Sequence, residues 1–161
     1  MSMEILAPAG SADALQAAVR CGAAAVYLGA GAFNARRHAA NFDGDALRRA
    51  VAYCHVRGVK VHLTLNTLLR ETELPAAMAL VQEACALGID ALIVQDVGLA
   101  RHIRAAAPAM PLHASTQLSC HTPDGVAFLR DNGFSRVVLS REMSLDEIRA
   151  CAGLGCELEV F

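Results

Sequence analysis

The sequence predicts an α/β fold, a (β/α)8 TIM-type barrel that is incomplete, with about seven strands present, and three observations carry that reading. First, five segments repeat one design: a helix ending in Gly, two or three residues, then a β-rich apolar run. They read "CGAAAVYLG" (21–29), "RGVKVHLTLN" (57–66), "LGIDALIVQD" (87–96), "NGFSRVVLSRE" (132–142) and "LGCELEVF" (154–161). Glycine at a helix C-cap supplies left-handed backbone, and a short continuous apolar strand marks a parallel sheet covered by helices. Second, "GAGAF" after the second strand lacks the third glycine of a dinucleotide fingerprint and opens onto an Asn/Arg loop, which favours a barrel over a doubly wound sheet. Third, the 161 residues stop on a seventh strand, short of the eight strands and roughly 200 or more residues that a barrel usually takes. The chain, 1–161, therefore reads as the N-terminal part of a single barrel domain whose C-terminal remainder is absent.

In chain order, strands are expected at 4–7, 25–28, 60–65, 91–94, 112–114, 136–139 and 157–160. Amphipathic helices fill the intervals near 11–21, 43–57, 73–87, 97–106, 122–132 and 144–152. Helix starts are marked by Ser11, by Asp43, by Thr122 with Gly125, and by "SLDE" (144–147), whose Ser and Glu match a capping box. No linker or low-complexity segment interrupts the alternation.

The composition suits such a core. Hydrophobic residues make up 55%, aromatics only 4%, and tryptophan is absent, so close helix-on-sheet packing must come from Ala, Val, Leu and Ile. A net charge of −2 speaks against a broad basic surface for nucleic acid, although it leaves room for a local patch. No apolar run approaches the roughly 18 residues of a membrane span, and the N-terminus lacks the pattern of a signal peptide, so a cytoplasmic protein is expected. The six cysteines form no CxxC pair and are expected to be buried free thiols.

In barrels of this class the active site is assembled at the carboxyl ends of the strands. The residues there are "PAGS", "GAGAFNARRHAANF", Asn66 and Thr67, Gln95 and Asp96, Ser115 to Gln117, and "SRE" (140–142). Any one of these could simply cap a strand or a helix. Six successive polar strand ends point to a polar ligand pocket, with Asn66, Gln95, Asp96, Ser115 and Gln117 binding substrate. The loop from Gly29 to Phe42 exceeds the usual two to six residues of a βα connection; its Asn34, Arg36 and Asn41 give it the chemistry of an anion-binding lid. Arg36 or Arg141 would pair with a carboxylate or phosphate, and His113 or Glu142 would carry the proton.

Alternation in the fifth strand places His113 opposite Leu112 and Ala114 and on the side of Ser115 and Gln117. His113 is then either a pocket acid or base, or a histidine packed in the barrel interior with a satisfied hydrogen bond. Cys120 and His121 are poor partners for His113 at a metal, or for each other as nucleophile and base, because adjacent residues rarely point the same way. No metal site is expected. For Asp96, Arg141 and Glu142 the plainer alternative is a salt bridge among strand ends.

Taken together, "LAPAGSADALQAAVRCGAAAVYLG", "FNARRHAANF", "VHLTLNTLL", "GIDALIVQDVG", "HASTQLSCH" and "RVVLSREMSLDEI…LEVF" resemble the N-terminal catalytic barrel of the collagenase-like peptidases, family U32, along essentially the whole chain. The resemblance implies one of two chemistries. The family was named for collagenase-like proteolysis, while other members act in oxygen-independent hydroxylation of tRNA or ribosomal RNA pyrimidines, or of the ubiquinone ring. Those members use prephenate as the oxygen source and an iron–sulfur cluster, whose cysteines lie in a region following "LEVF". None of the six cysteines here is therefore assigned to a cluster; such a cluster would belong to the full-length parent.

The residues and the resemblance together suggest an RNA-modifying parent with RNA and a prephenate-like dicarboxylate as partners, no membrane partner, and an isolated piece that is itself inactive. A peptidase whose hydrolytic site is completed elsewhere, or a non-enzymatic scaffold, are the alternatives. An unclosed parallel sheet leaves strands 1 and 7 without neighbours, which favours edge-to-edge pairing. The isolated 161-residue chain is thus expected to self-associate; a dimer or larger species in light scattering is the predicted outcome, and a clean monomer contradicts it.

Overall fold

In the computed structural model, which describes residues 3–31, 33–35 and 41–161, the expected alternation of strand and helix is present throughout. The strands are β1 (Leu6–Pro8), β2 (Ala25–Gly29), β3 (Lys60–Leu65), β4 (Ala91–Val94), β5 (Leu112–Ala114), β6 (Arg136–Val138) and β7 (Glu157–Glu159). Between them run α1 (Ala12–Arg20), α2 (Asp45–His55), α3 (Leu74–Leu87), α4 (Val97–Ala106), α5 (Pro123–Asp131) and α6 (Leu145–Ala150). The seven strands pair in sequence order and every pairing is parallel.

The sheet is curled. Glu4, just before β1, and Arg136, the first residue of β6, approach to 3.4 Å. Five strand spacings in a flat sheet would separate them by about 24 Å at ~4.8 Å each. Unreversed strand order with this curvature is the wall of a (β/α)8 barrel, incomplete at seven strands, as the sequence predicted.

Register sorts the chain's chemistry between two faces. Paired residues of parallel strands point the same way, and alternation carries the pattern along each strand. Val26, Leu28, Val61, Leu63, Leu65, Leu92, Val94, Leu112, Ala114 and Val137 share the outer face; all are buried and belong to one apolar cluster. From the helices, Leu15, Val19, Leu47, Val51, Val81, Leu99, Ile103, Val126 and Leu129 pack into the same cluster. This aliphatic layer, built without tryptophan, is the main store of hydrophobic stabilisation. The inner face carries Tyr27, Lys60, His62, Thr64, Ile93, His113, Arg136, Glu157 and Glu159.

Most helix starts follow the sequence signals. The Ser11 hydroxyl accepts from the Ala14 N–H, that of Thr122 from Gly125, and Ser144 with Glu147 forms a reciprocal capping box. Asp43 departs from expectation. Gly44, at φ 48°, is the N-cap of α2, and the Asp43 carboxylate instead accepts the Gly31 N–H at 2.9 Å. That carboxylate ties back the long loop, and only a glycine takes the turn into α2 without strain. Two short 3₁₀ turns, Glu71–Glu73 and Thr116–Leu118, were not foreseen. Among the described residues no helix is long and apolar enough to cross a membrane.

Candidate functional site

Three of the expected substrate-binding residues are brought together as a brace for the β2–α2 loop. Asn34, 1% exposed, donates its amide to the Gly31 carbonyl at 3.0 Å and to Asn41 Oδ1 at 3.1 Å, while Asn41 Nδ2 donates to the same carbonyl at 3.1 Å. Asn66, just past β3, accepts the Ala35 N–H at 3.0 Å and anchors the loop to the next strand end. The loop's polar backbone finds partners in asparagine side chains, since it lacks a sheet or helix ladder. Arg36 lies outside the described residues.

The neighbouring strand ends are also hydrogen-bonded. Asp96 accepts the Leu99 N–H at 2.8 Å as the N-cap of α4, and with its other oxygen the Leu69 N–H at 3.1 Å. Ser115, buried, accepts the Gln117 N–H at 3.2 Å, and Gln95 Nε2 donates to the Gln117 carbonyl at 3.4 Å. Arg141 and Glu142 are exposed beyond β6, and the Arg141 guanidinium stands 4.6 Å from the centre of the Phe161 ring. Among the described residues no ion pair joins Asp96, Arg141 and Glu142. A hollow of about 90 Å³ beside Asp96 is lined by Leu69, Arg70, Leu74 and His102.

Below this rim, the inner face holds a polar layer that sequence reasoning identified only at His113. His62 and His113, 2% and 5% exposed, meet edge to face with ring centres 4.7 Å apart and planes at 87°. Among the described residues neither Nδ1 has a hydrogen-bond partner. The interior expectation for His113 therefore holds for its burial and not for its hydrogen bond. Burial, with help from the His62 ring, Arg136 and Lys60, pushes His113 down to about 3. Burial and then Arg136 bring His62 to about 4. Both imidazoles are thus neutral at neutral pH. Arg136 binds Glu157 through two nitrogens, at 2.9 and 2.6 Å, and lies 3.5 Å from Glu159, whose carboxyl is raised chiefly by burial. The signal was in the sequence: Lys60, His62 and Thr64 alternate with Val61, Leu63 and Leu65.

All six cysteines are free: Cys54, Cys120 and Cys151 buried, Cys156 half-buried, Cys21 and Cys85 exposed. Burial raises the Cys120 thiol, which opposes thiolate formation, and the neighbouring His121 ring nitrogen engages the Ser119 carbonyl at 2.7 Å. Among the described residues no three His, Cys, Asp or Glu side chains converge to hold a metal.

A curled parallel α/β wall with a polar rim at its strand ends and a braced loop above them defines a barrel of the kind that binds ligands at that end. The chain belongs to peptidase family U32, whose model matches residues 10–161. It is 42% identical over 148 residues to the 23S rRNA 5-hydroxycytidine C2501 synthase of Escherichia coli, covering 92% of this chain and 22% of that protein. It is 32% identical to the tRNA hydroxylation protein P of Escherichia coli, covering 98% and 35%, and 34% identical to a collagenase of Porphyromonas gingivalis, covering 91% and 35%. The chain thus spans roughly a fifth to a third of the length of these relatives. The solved structure of a U32 peptidase shares the fold at a TM-score of 0.81 and 14% identity, covering 99% of this chain and 69% of that one.

Two predictions follow from the site's geometry. A Cβ on Gly29 would meet the Asn34 side chain at 2.8 Å, so Gly29→Ala should displace that amide and destabilise the loop by about 1–3 kcal/mol, measurable by denaturant unfolding. Unfolded histidine titrates near 6.5, far above the folded values of about 4 and 3, so the unfolded chain binds more protons in between. Stability should fall as the pH drops below 6.5, by up to about 1.4 kcal/mol per pH unit for each imidazole. His113→Phe should flatten that slope between pH 6.5 and 5; an unchanged slope contradicts the assignment.

Proposed function

We propose that the protein containing this chain hydroxylates a pyrimidine of ribosomal or transfer RNA, with a prephenate-like dicarboxylate as oxygen source, in the cytoplasm. The observation that supports this most is the 42% identity to a ribosomal RNA hydroxycytidine synthase across nearly the whole barrel wall. The chain's part in the reaction is binding and positioning. Gln95, Gln117 and the second face of Asn66 offer hydrogen bonds at the strand ends, the buried Ser115 holds the turn that carries Gln117, and Asn34 and Asn41 set the loop above them. Arg36 or Arg141 pairs with a carboxylate or phosphate. Glu142, exposed on the rim, carries the proton, and the neutral His113 beneath serves as a hydrogen-bonding group of the floor. The redox centre that the family resemblance implies would be held by residues outside this chain.

The second reading, peptide hydrolysis, draws on the 34% identity to a collagenase. Cys120 is a poor nucleophile for it, because burial raises its thiol and the His121 ring engages the Ser119 carbonyl. The two readings separate in one experiment: nucleoside mass spectrometry of RNA from a deletion strain, beside an iron and sulfide assay of the intact protein purified without oxygen. Loss of one hydroxylated pyrimidine, restored by the intact gene and not by an Arg141→Ala copy, is the expected result. An unchanged nucleoside profile with peptide cleavage by the purified protein overturns it.

A further inference from the structure

We infer that the outward side of α2 is the track along which the RNA backbone runs to the strand-end rim, with Arg48, Arg49 and Arg57 as its phosphate contacts, an assignment that rests on the RNA reading above. The net charge of −2 conceals a partition. The unit from β2 to β3, residues 25–65, carries six basic and two acidic side chains, net +4, while the other residues carry eight basic and 14 acidic, net −6. Within that unit Lys60 turns to Glu4 at 3.4 Å, the Asp43 carboxylate accepts the Gly31 N–H, and Arg36 and Arg37 lie outside the described residues. Arg48, Arg49 and Arg57 are exposed, and among the described residues no carboxylate forms an ion pair with any of them. Arg130, Arg136 and Arg149, by contrast, are all ion-paired. In the wall α2 stands between α1 and α3, both of them present, so neither end of the chain creates its exposed side.

Spacing selects a polyanion over the dicarboxylate. In a βα unit the helix runs back from the strand-end rim, so α2 starts beside the braced loop, with Arg48 and Arg49 near its beginning and Arg57 just past its last residue, His55. At ~1.5 Å per residue, Arg48 and Arg57 stand about 14 Å apart along the axis. Guanidiniums strung over that length do not converge on one small acid, but they match a strand whose phosphates recur every ~3.4 Å. Arg57 is held in position: its guanidinium lies 3.8 Å from the centre of the Tyr53 ring and its Nη1 donates to the Tyr53 carbonyl at 3.0 Å. Its remaining N–H groups are left for a phosphate. The nearby carboxylates have other tasks, since Asp90 accepts from the Val61 N–H at 2.7 Å and meets His55 at 2.9 Å, while Asp45 stands at the positive end of the helix. Phosphate contacts position a strand without reading its sequence, so α2 sets where the RNA lies and the rim residues select the base.

The test measures binding of a short cytidine-containing RNA to the intact protein by fluorescence anisotropy over a range of salt. Arg48→Gln combined with Arg49→Gln should weaken binding about tenfold to thirtyfold at ~0.1 M salt and lower the slope of log K against log salt by about 1.4, or ~0.7 for each phosphate contact. Arg48→Lys combined with Arg49→Lys should restore the slope, because the charge is kept. Arg149→Gln, which removes an exposed arginine already paired with Asp146, should leave it unchanged, and the KM for the dicarboxylate should not move in the Gln pair. An unchanged slope in the Gln pair, or an equal loss in Arg149→Gln, overturns the track. Competition by polyglutamate as strong as that by RNA also overturns it and assigns the face to an acidic protein. Arg57→Gln, expected to lower the slope by about 0.7, decides alone if the Gln pair fails to fold by circular dichroism. A deletion strain that loses its hydroxylated pyrimidine while the Gln pair binds RNA with the unsubstituted slope refutes only the track; a strain that keeps the modification refutes the RNA reading itself.

Discussion

The structure depends on a single constraint, the shared register of seven parallel strands. Because paired residues face the same way, one alternation pattern is imposed across the whole sheet, from Tyr27 through His62 and Ala91 and from Thr64 through Ile93, His113 and Arg136 to Glu157. A slip of one residue in any strand would exchange its faces, burying lysine, histidine or arginine under the helices and turning leucine and valine inward. The aliphatic outer layer and the polar inner layer are thus two results of the same pairing.

The inner layer in turn shapes the wall. Arg136 gathers Glu4, Glu157 and Glu159 around one guanidinium, joining the segment before β1 to β6 and β7 across the concave side. Its contacts with Glu4 and Glu157 are at the exposed end of the barrel wall, where ion pairs are individually weak. The geometric effect is larger than the energetic one, because every such contact favours curvature. The buried imidazoles near it stay uncharged, and their Nδ1 atoms find no partner among the described residues, a local cost that the aliphatic layer on the outer face offsets.

At the rim, structure and prospective function draw on the same residue types. Asn34, Asn41, Asn66 and Asp96 spend their polar groups on loop backbone and a helix start, which holds the strand-end loops in place. Arg141, Glu142 and Gln117 stand beyond that framework, more exposed and less committed. A braced loop beside an open rim is the arrangement expected where part of a site is preformed and part is completed by ligand or by further chain. Membership of family U32 places this wall among proteins named both for RNA hydroxylation and for collagen cleavage, and the rim, not the fold, must decide between them.

Most of the fold was legible in the residues alone. Gly-ended helices followed by short apolar strands located β3 and β4 to the residue, and β5 and α4 were placed to the residue without that glycine, because buried strands and helix faces are fixed by local backbone sterics and by the pattern of hydrophobic side chains. Capping at Ser11, Thr122 and Ser144 was equally local. What tertiary structure decided was the destination of polar side chains. Asp43 could have capped a helix or tied a loop, and the partner that settled it, Gly31, is twelve residues away. His62 acquired its meaning only when β3 and β5 curved until its ring met His113, and Arg141 found Phe161 only when β6 and β7 paired. Backbone preference is a property of a few adjacent residues, whereas the partner of a charged or hydrogen-bonding side chain is set by which distant strand the curled sheet brings beside it.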